Sequence, residues 1–502
     1  MEHPKARTRI VVMHVRGNDP RPWAPRQAAS ARFRRTDERP AAVSAKVWWH
    51  RDLAPRPHLQ GLDETGGTMS SPPRASRILA ADLNKVEPGT TVTLLGHVHR
   101  LRKLSAVSFL VIRDRSGLAQ VVFRPDEVVG DGLPPEETVV KVVGVVTANP
   151  QAPGGAEVIN PLVTMLSEPA QTPPVELWRP SLNASLPTLL DHAPVLWRHP
   201  SQKAAWTLAA ASLRGFRETL QAAGFTEVQT PKLVESATES GANVFPVNYF
   251  GRHAYLAQSP QFFKQQLVGV FERVFEVGPV FRAEPHDTVR HLAEYVSLDV
   301  ELGFIDDHRD VIRVLRDVLA GMVDAIQAHA CEAVERLNVT LPEIPEDIPI
   351  IHFAEALEKV GADSNEPDLA PEHERALGTW AMETYGSPVL AVEGYPMRKR
   401  PFYTHPQVDD PRWSNSFDLL FRGMELVTGG QRLHRYSDYI TAIETRGESP
   451  SVYESYLQAF AYGMPPHGGF AIGLERWVAR LLEAHNIREV TLFPRDLHRL
   501  AP

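Results

Sequence analysis

Between Thr90 and Leu166 branched and aromatic residues gather in short runs. Val92-Thr-Leu-Leu-Gly-His-Val, Ser108-Phe-Leu-Val-Ile-Arg-Asp and Ala119-Gln-Val-Val-Phe come first, followed by Thr138 to Val146 and Glu157 to Leu166. Gly, Pro and Asp separate them at regular spacing, which is the pattern of strands joined by turns. Five such strands predict a small closed barrel. Pro169 to Pro187 is Pro-rich and reads as a linker. Gln202 to Ala223 then carries its apolar residues at helical spacing and stops at Gly224, a residue that ends helices readily. Phe225-Thr-Glu-Val-Gln-Thr-Pro follows as an extended segment stopped by Pro231. Farther on, blocks of strand formers carry charges that alternate with apolar residues. No regular βαβ alternation appears, so the pattern predicts an antiparallel α+β domain.

A chain of 502 residues exceeds one ordinary domain, and two or three are expected. The expected divisions are a basic, disordered extension over 1–75, a barrel over 76–168 for which the OB-fold is the best candidate, a linker over 169–195, and the α+β domain over 196–502. The first segment holds thirteen Lys and Arg against seven Asp and Glu up to residue 68, with no sustained periodicity, so it lacks the means to bury a core. Met69 opens an alternative start. The formal charge of −8 neither announces nor excludes a nucleic-acid partner, because phosphate contacts need a local basic surface. No apolar run approaches the roughly 18 residues of a membrane span. The single cysteine, Cys331, excludes an intramolecular disulfide and a cysteine-rich zinc site, and suits a reducing cytoplasm. Its setting, Ala-His-Ala-Cys-Glu-Ala-Val, reads as helical packing.

Three segments carry candidate chemistry. Val280-Phe-Arg-Ala-Glu-Pro-His-Asp-Thr-Val-Arg-His-Leu sets Arg282 and Arg290 on either side of a loop, with Glu284 and His291 beside them. A hairpin there would bring two planar, permanently charged forks to one site, suited to polyphosphate and carboxylate groups. Surface ion pairing explains the same segment equally well. Gly468-Gly-Phe-Ala-Ile-Gly-Leu-Glu-Arg places glycines before a helix that would project Arg476, without the spacing of a dinucleotide fold or a P-loop. Arg422-Gly-Met-Glu-Leu-Val-Thr-Gly-Gly-Gln-Arg holds two oxygen donors, Glu425 and Thr428, as a hard cation between protein and phosphates would need.

Together these segments resemble motifs 2 and 3 of class II aminoacyl-tRNA synthetases, with the metal-binding strand between them. Pro231 in Gly-Phe-Thr-Glu-Val-Gln-Thr-Pro is similar to motif 1, the dimer interface of that class. Ser236-Ala-Thr-Glu-Ser-Gly-Ala-Asn-Val-Phe, Tyr255-Leu-Ala-Gln-Ser-Pro-Gln-Phe-Phe-Lys-Gln and the ending Leu492-Phe-Pro-Arg-Asp-Leu-His-Arg-Leu-Ala-Pro resemble aspartyl-tRNA synthetases of the archaeal and eukaryotic type. The likeness runs in order over about residues 76–502.

That resemblance implies a class II antiparallel sheet with flanking helices, an N-terminal OB-fold barrel, and an enzyme that joins aspartate to tRNA with ATP and Mg²⁺. It implies a cytoplasmic homodimer. Arg282 and Arg476 would be catalytic. ATP would meet Arg282, Ala283, Glu284, Arg290, His291, Leu292, Glu425, Gly473, Leu474, Glu475 and Arg476, and the metal would meet Glu425 and Thr428. Aspartate would meet Glu239, Gln261, Phe262, Phe263, Lys264, Arg282, Asp299, Thr428 and Arg432. Lys264 and Arg432 would grip its side-chain carboxylate and so reject asparagine. In the barrel, Phe109 and Gln120 would hold the central anticodon base, with Arg102 nearby; a core position for Phe109 is the bland alternative. His99 and the loop containing Pro153 resemble the nondiscriminating subgroup, which aspartylates both tRNA(Asp) and tRNA(Asn) and relies on an amidotransferase downstream. The alternatives are a strictly discriminating enzyme, and a synthetase-like paralogue that binds RNA or acts on another acceptor.

Overall fold

The structure is a computed structural model that describes residues 77–124, 133–235, 244–285 and 287–502. The expected extension over 1–75 lies outside these residues, as does Glu239. The described residues belong to one compact unit, Pro73–Pro502.

Strands β1 (Thr91–Lys103), β2 (Ser108–Arg113), β3 (Leu118–Phe123), β4 (Val139–Ala148) and β5 (Ala156–Met165) close a barrel in the order β1-β2-β3-β5-β4. Its interior takes one face of each strand: Val92, Leu94, Val98, Leu110, Ile112, Ala119, Val121, Val140, Val142 and Val158 are buried together. Two-residue alternation leaves Phe109, Val111 and Arg113 of β2 on the outer face. Gly96 sits where a Cβ would stand 2.4 Å from the Arg113 carbonyl oxygen, so β1 and β2 can cross only with glycine there.

The second part is built on an eight-stranded sheet. Short strand β6 (Thr226–Glu227) lies at one edge, and β7 (Leu233–Val234), β8 (Pro246–Tyr249) and β9 (Arg252–Leu256) form a separate small sheet. The large sheet continues with β10 (Arg273–Phe281), β11 (Glu294–Gly303), β12 (Ile350–His352), β13 (Val389–Glu393), β14 (Ser416–Phe421), β15 (Met424–Gln431) and β16 (His467–Gly473), in the order β12-β13-β14-β15-β16-β11-β10-β6. The six middle strands are antiparallel, and a parallel pair closes each edge.

Two long helices cover one face. Pro200–Ala222 ends as expected, with Gly224 at φ +82° just beyond it. His308–His329 starts at Asp307, whose side chain accepts from the Arg309 amide, and buries Val311, Ile312, Leu315, Val318, Leu319, Met322 and Ile326 at spacings of one, three and four. The helices touch where small residues allow it: a Cβ on Gly215 would lie 2.3 Å from the Gly321 carbonyl oxygen. Beneath them, Leu298, Val300 and Leu302 of β11, Phe470 and Ile472 of β16, and Val427 of β15 join one core. The alternate residues of these strands, among them Asp299, Glu301, Ala471 and Thr428, therefore face the other way. Cys331 departs from its expectation: it opens the helix Cys331–Leu337 and is exposed, so it contributes little packing.

Candidate active site

On the open face of the sheet, strand register brings the motifs together. Asp299 pairs with Ala471, which pairs in turn with Thr428. Glu301 stands beside Gly469, itself opposite Gly430. A Cβ on Gly469 would come within 2.1 Å of the Glu301 carboxylate. The glycines therefore leave room for a buried side chain.

That side chain anchors a charged network. Lys264, on the helix Gln261–Phe271 and only 2% exposed, places its Nζ 3.0 Å from Asp299 Oδ1 and 3.3 Å from Glu301 Oε2. Arg432 Nε donates to Glu301 Oε1 at 3.1 Å, and its Nη2 donates to the Gly469 carbonyl at 3.1 Å and to Gln261 Oε1 at 3.4 Å. Ser297 Oγ donates to Asp299 Oδ2 at 2.5 Å. Burial alone would raise the Glu301 pKa, but Arg432 and Lys264 outweigh it and hold the carboxyl below its usual range. Neighbouring His467 is fully enclosed, and burial pulls its pKa down to about 4, which keeps it neutral. Two cations and two carboxylates thus share one desolvated site.

Farther along the same face lies a cleft whose walls include Arg282, Glu284, Arg290, His291, Glu425 and Arg476. Arg282 follows β10 and closes its hairpin, its amide donating to the Ala293 carbonyl at 2.9 Å. Its guanidinium carbon lies 5.7 Å from the Tyr295 ring centroid. Across the hairpin, His291 Nε2 is 3.5 Å from Glu284 Oε2, and its Nδ1 is 2.6 Å from Thr288 Oγ1. The loop is tied down from outside by Arg488, which donates to Asp287 at 2.7 Å and to the Thr288 carbonyl at 3.0 Å. Arg476 opens the helix Leu474–Leu481 behind Gly473 and donates to the Glu425 carbonyl and carboxylate at 3.0 and 3.2 Å. Burial pushes the Glu475 pKa up to about 7, and its carboxylate accepts from the Val296 amide at 3.1 Å. Glu425 Oε1 and Thr428 Oγ1 are 3.5 Å apart. These are hard oxygen donors suited to Mg²⁺, which takes few protein ligands and completes its shell with waters and phosphates. Among the described residues no cluster of three or more His, Cys, Asp or Glu side chains could hold a metal ion.

The packing of several expected contact residues is also defined. Phe262 stacks on Tyr456 at 4.3 Å between centroids and packs edge-on to Tyr403, so its ring serves an aromatic core beside the site. Leu292 and Leu474 are buried in the main core, and Leu292 also lines the cleft. Ala283 and Phe263 are half-buried, near the residues that do carry charge. Sequence reasoning missed Glu301 and Glu374. The first had a signal, since Asp299-Val-Glu301 puts two acids on one face of a strand. The second comes from a distant helix and had none.

In the barrel, Arg102 pairs with Phe109, and its guanidinium carbon lies 5.5 Å from that half-buried ring. Gln120 shares their face and donates to Glu157 at 2.8 Å, while Asn149, at the start of the loop containing Pro153, donates to the same carboxylate. His99 does not join them. It is the bulged residue of β1, is 7% exposed, and its Nδ1 lies 2.9 Å from Arg113 Nη1. Arg113 in turn grips Glu137 with Nη2 at 2.8 Å from both oxygens, and Arg198 reaches Glu137 at 3.1 Å from beyond the barrel. His99, its pKa lowered to about 4 by burial and by Arg113, is part of that junction.

A largely antiparallel sheet whose open face bears a cleft lined by Arg282, Arg290, Arg476 and Glu425, with a five-stranded barrel ahead of it, is the architecture of a class II aminoacyl-tRNA synthetase. Residues 186–497 match the tRNA synthetases of class II (D, K and N), and residues 92–166 match the OB-fold nucleic acid binding domain. The chain belongs to the class II (D, K and N) synthetase family. It is 46% identical to the aspartate–tRNA(Asp/Asn) ligase of Thermus thermophilus over 85% of this chain and 100% of that one. The Deinococcus radiodurans ligase of the same description is 45% identical over 86% and 100%. Among solved structures, asparaginyl-tRNA synthetase from Pyrococcus horikoshii with asparaginyl-adenylate superposes with a TM-score of 0.76 at 32% identity, over 83% of this chain and 97% of that one. Aspartyl-tRNA synthetase from Entamoeba histolytica gives 0.74 at 26% identity, over 90% and 100%.

Proposed function

We propose that the protein activates L-aspartate with ATP, forming aspartyl-adenylate and diphosphate, and transfers the aspartyl group to tRNA(Asp) and tRNA(Asn). The observation that carries the choice of amino acid is the buried Lys264–Arg432 pair. A substrate side-chain carboxylate brought there would join Asp299 and Glu301 around two buried cations, whereas the neutral amide of asparagine offers those cations no charge to bind. Asp299 and Gln261 face the ammonium end. Glu239, by resemblance, joins them.

Activation brings an anionic carboxylate onto an anionic phosphate, so most of the work is charge neutralisation and alignment. Arg282 spans the carboxylate and the α-phosphate, Arg290 and His291 hold the outer phosphates, and Arg476 lies against the nucleotide. Glu425 and Thr428 are the residues that would hold Mg²⁺, which when bound would supply positive charge against that of the phosphates. Transfer needs little acid–base chemistry from the protein, since the terminal ribose hydroxyl attacks a mixed anhydride. Phe109, with Arg102 and Gln120 beside it, offers a stacking platform for an anticodon base. The barrel, the linker and the sheet then act as divisions of one enzyme, which assembles as a cytoplasmic homodimer through the Pro231 segment. Aspartylated tRNA(Asn) is a substrate for an amidotransferase.

Amino-acid-dependent exchange of diphosphate into ATP tests the first step. Exchange with aspartate and at most a trace with asparagine is expected; equal exchange with both would overturn the role given to Lys264 and Arg432.

A further inference from the structure

Glu374 lies outside the three motifs, on the helix Pro371–Tyr385, yet its side chain meets two residues that line the cleft, Arg290 and Glu425. It is 5% exposed, and one oxygen, Oε2, accepts from Arg290 Nη2 at 3.1 Å and from the Glu425 amide at 2.9 Å. A single carboxylate oxygen thus joins the arginine placed on the outer phosphates to the first turn of the strand placed on the cation. The helix is seated by direct backbone contact: a Cβ on Gly378 would stand 2.4 Å from Gly423 Cα, and Gly423 takes φ +71° in the turn before Glu425. No longer side chain could separate the two. Burial of a carboxylate is costly unless it is paired and hydrogen-bonded, and here both partners belong to the nucleotide site.

We propose that Glu374 is a positioning residue for nucleotide binding, fixing the Arg290 guanidinium and the start of β15 so that they meet the outer phosphates of ATP and its cation together. This rests on Arg290 and Glu425 serving ATP as described above. Glu374 itself touches no substrate. Its removal therefore acts on ligands that carry outer phosphates and spares those that do not. A residue that served only to stabilise the helix would affect all nucleotides alike, or only the unfolding temperature.

The test is equilibrium titration of the full-length protein with ATP in excess Mg²⁺, and separately with AMP, for the parent chain, Glu374→Gln and Glu374→Ala. Glu374→Gln keeps an oxygen that can accept from both donors but removes the negative charge opposite Arg290. It is expected to weaken ATP binding about 5- to 10-fold, with AMP unchanged within twofold; turning one charge-assisted hydrogen bond into a neutral-acceptor one is of that order. Glu374→Ala should weaken ATP by more than Glu374→Gln, and Glu374→Asp should recover part of the affinity. Unchanged or tighter ATP binding in Glu374→Gln, or equal losses for ATP and AMP, would overturn the proposal. Because the titration needs no amino acid, it stands even if aspartate-dependent exchange by the parent chain fails.

Discussion

Replacing Lys264 with methionine removes one buried charge while nearly conserving length and volume. The parent side chain meets two carboxylates at 3.0 and 3.3 Å and two backbone carbonyls at 3.2 and 3.4 Å, all in a site shielded from water. Truncating one member of such a buried, hydrogen-bonded pair costs about 2–5 kcal/mol. Where the charge also meets substrate, kcat/KM for aspartate should fall roughly 100- to 1,000-fold, corresponding to about 3–4 kcal/mol. Asparagine gains nothing from the lysine charge, so its exchange should change far less and the aspartate-to-asparagine ratio should collapse. Asp299 is left without its cation, while Glu301 keeps Arg432, so the fold should soften without being lost. Diphosphate exchange with each amino acid, run beside a thermal unfolding scan, reads both effects. A loss below tenfold in a folded variant, or equal losses for both amino acids, would refute the assignment of Lys264 to the side-chain carboxylate.

Other perturbations probe other parts of the account. Phe109→Ala should raise the KM for tRNA roughly 5- to 100-fold, the scale of one base–aromatic stack, and leave diphosphate exchange untouched; loss of exchange would mean the ring supports the fold. Gly469→Ala drives a methyl to within 2.1 Å of the Glu301 carboxylate and the Val300 carbonyl, so aspartate-dependent exchange should be abolished even where circular dichroism stays native. Burial pushes the Glu393 pKa up, but His308 at 2.7 Å and Arg309 at 2.7 Å outweigh it and bring it down to about 2. A depressed carboxylate stabilises the fold above its ordinary pKa near 4.5 and loses that contribution as pH falls towards 2. Glu393→Gln should therefore lower the unfolding midpoint at neutral pH and flatten its decline below pH ~4.5; an unchanged acid limb would remove the pair from the stability account.

Much of this architecture was legible because two-residue alternation and glycine placement carry it. The five barrel strands lie within a few residues of their expected places, and the helix ended by Gly224 starts two residues early at Pro200. Arg282, Glu425 and Arg476 could be singled out because each sits at a fixed step from a turn or a helix start. Glu374 could not, because its closeness to Arg290 depends on a helix packed across the sheet, which no local spacing encodes. The setting of His99 was illegible for a related reason: it occupies a bulge, where alternation fails and only the pairing with Arg113 decides which way the ring turns. Phe262 lies one residue from Gln261 and two from Lys264, yet helical rotation sends it to the aromatic cluster. Local pattern locates elements; long-range packing decides which of their residues meet.

The most direct test is aspartylation of separate tRNA(Asp) and tRNA(Asn) transcripts with ATP, Mg²⁺ and radiolabelled aspartate. The account predicts aspartyl-tRNA from both. Charging of tRNA(Asp) alone would contradict the claim of dual tRNA use, and charging of neither, with diphosphate exchange intact, would contradict the claim that this enzyme serves tRNA.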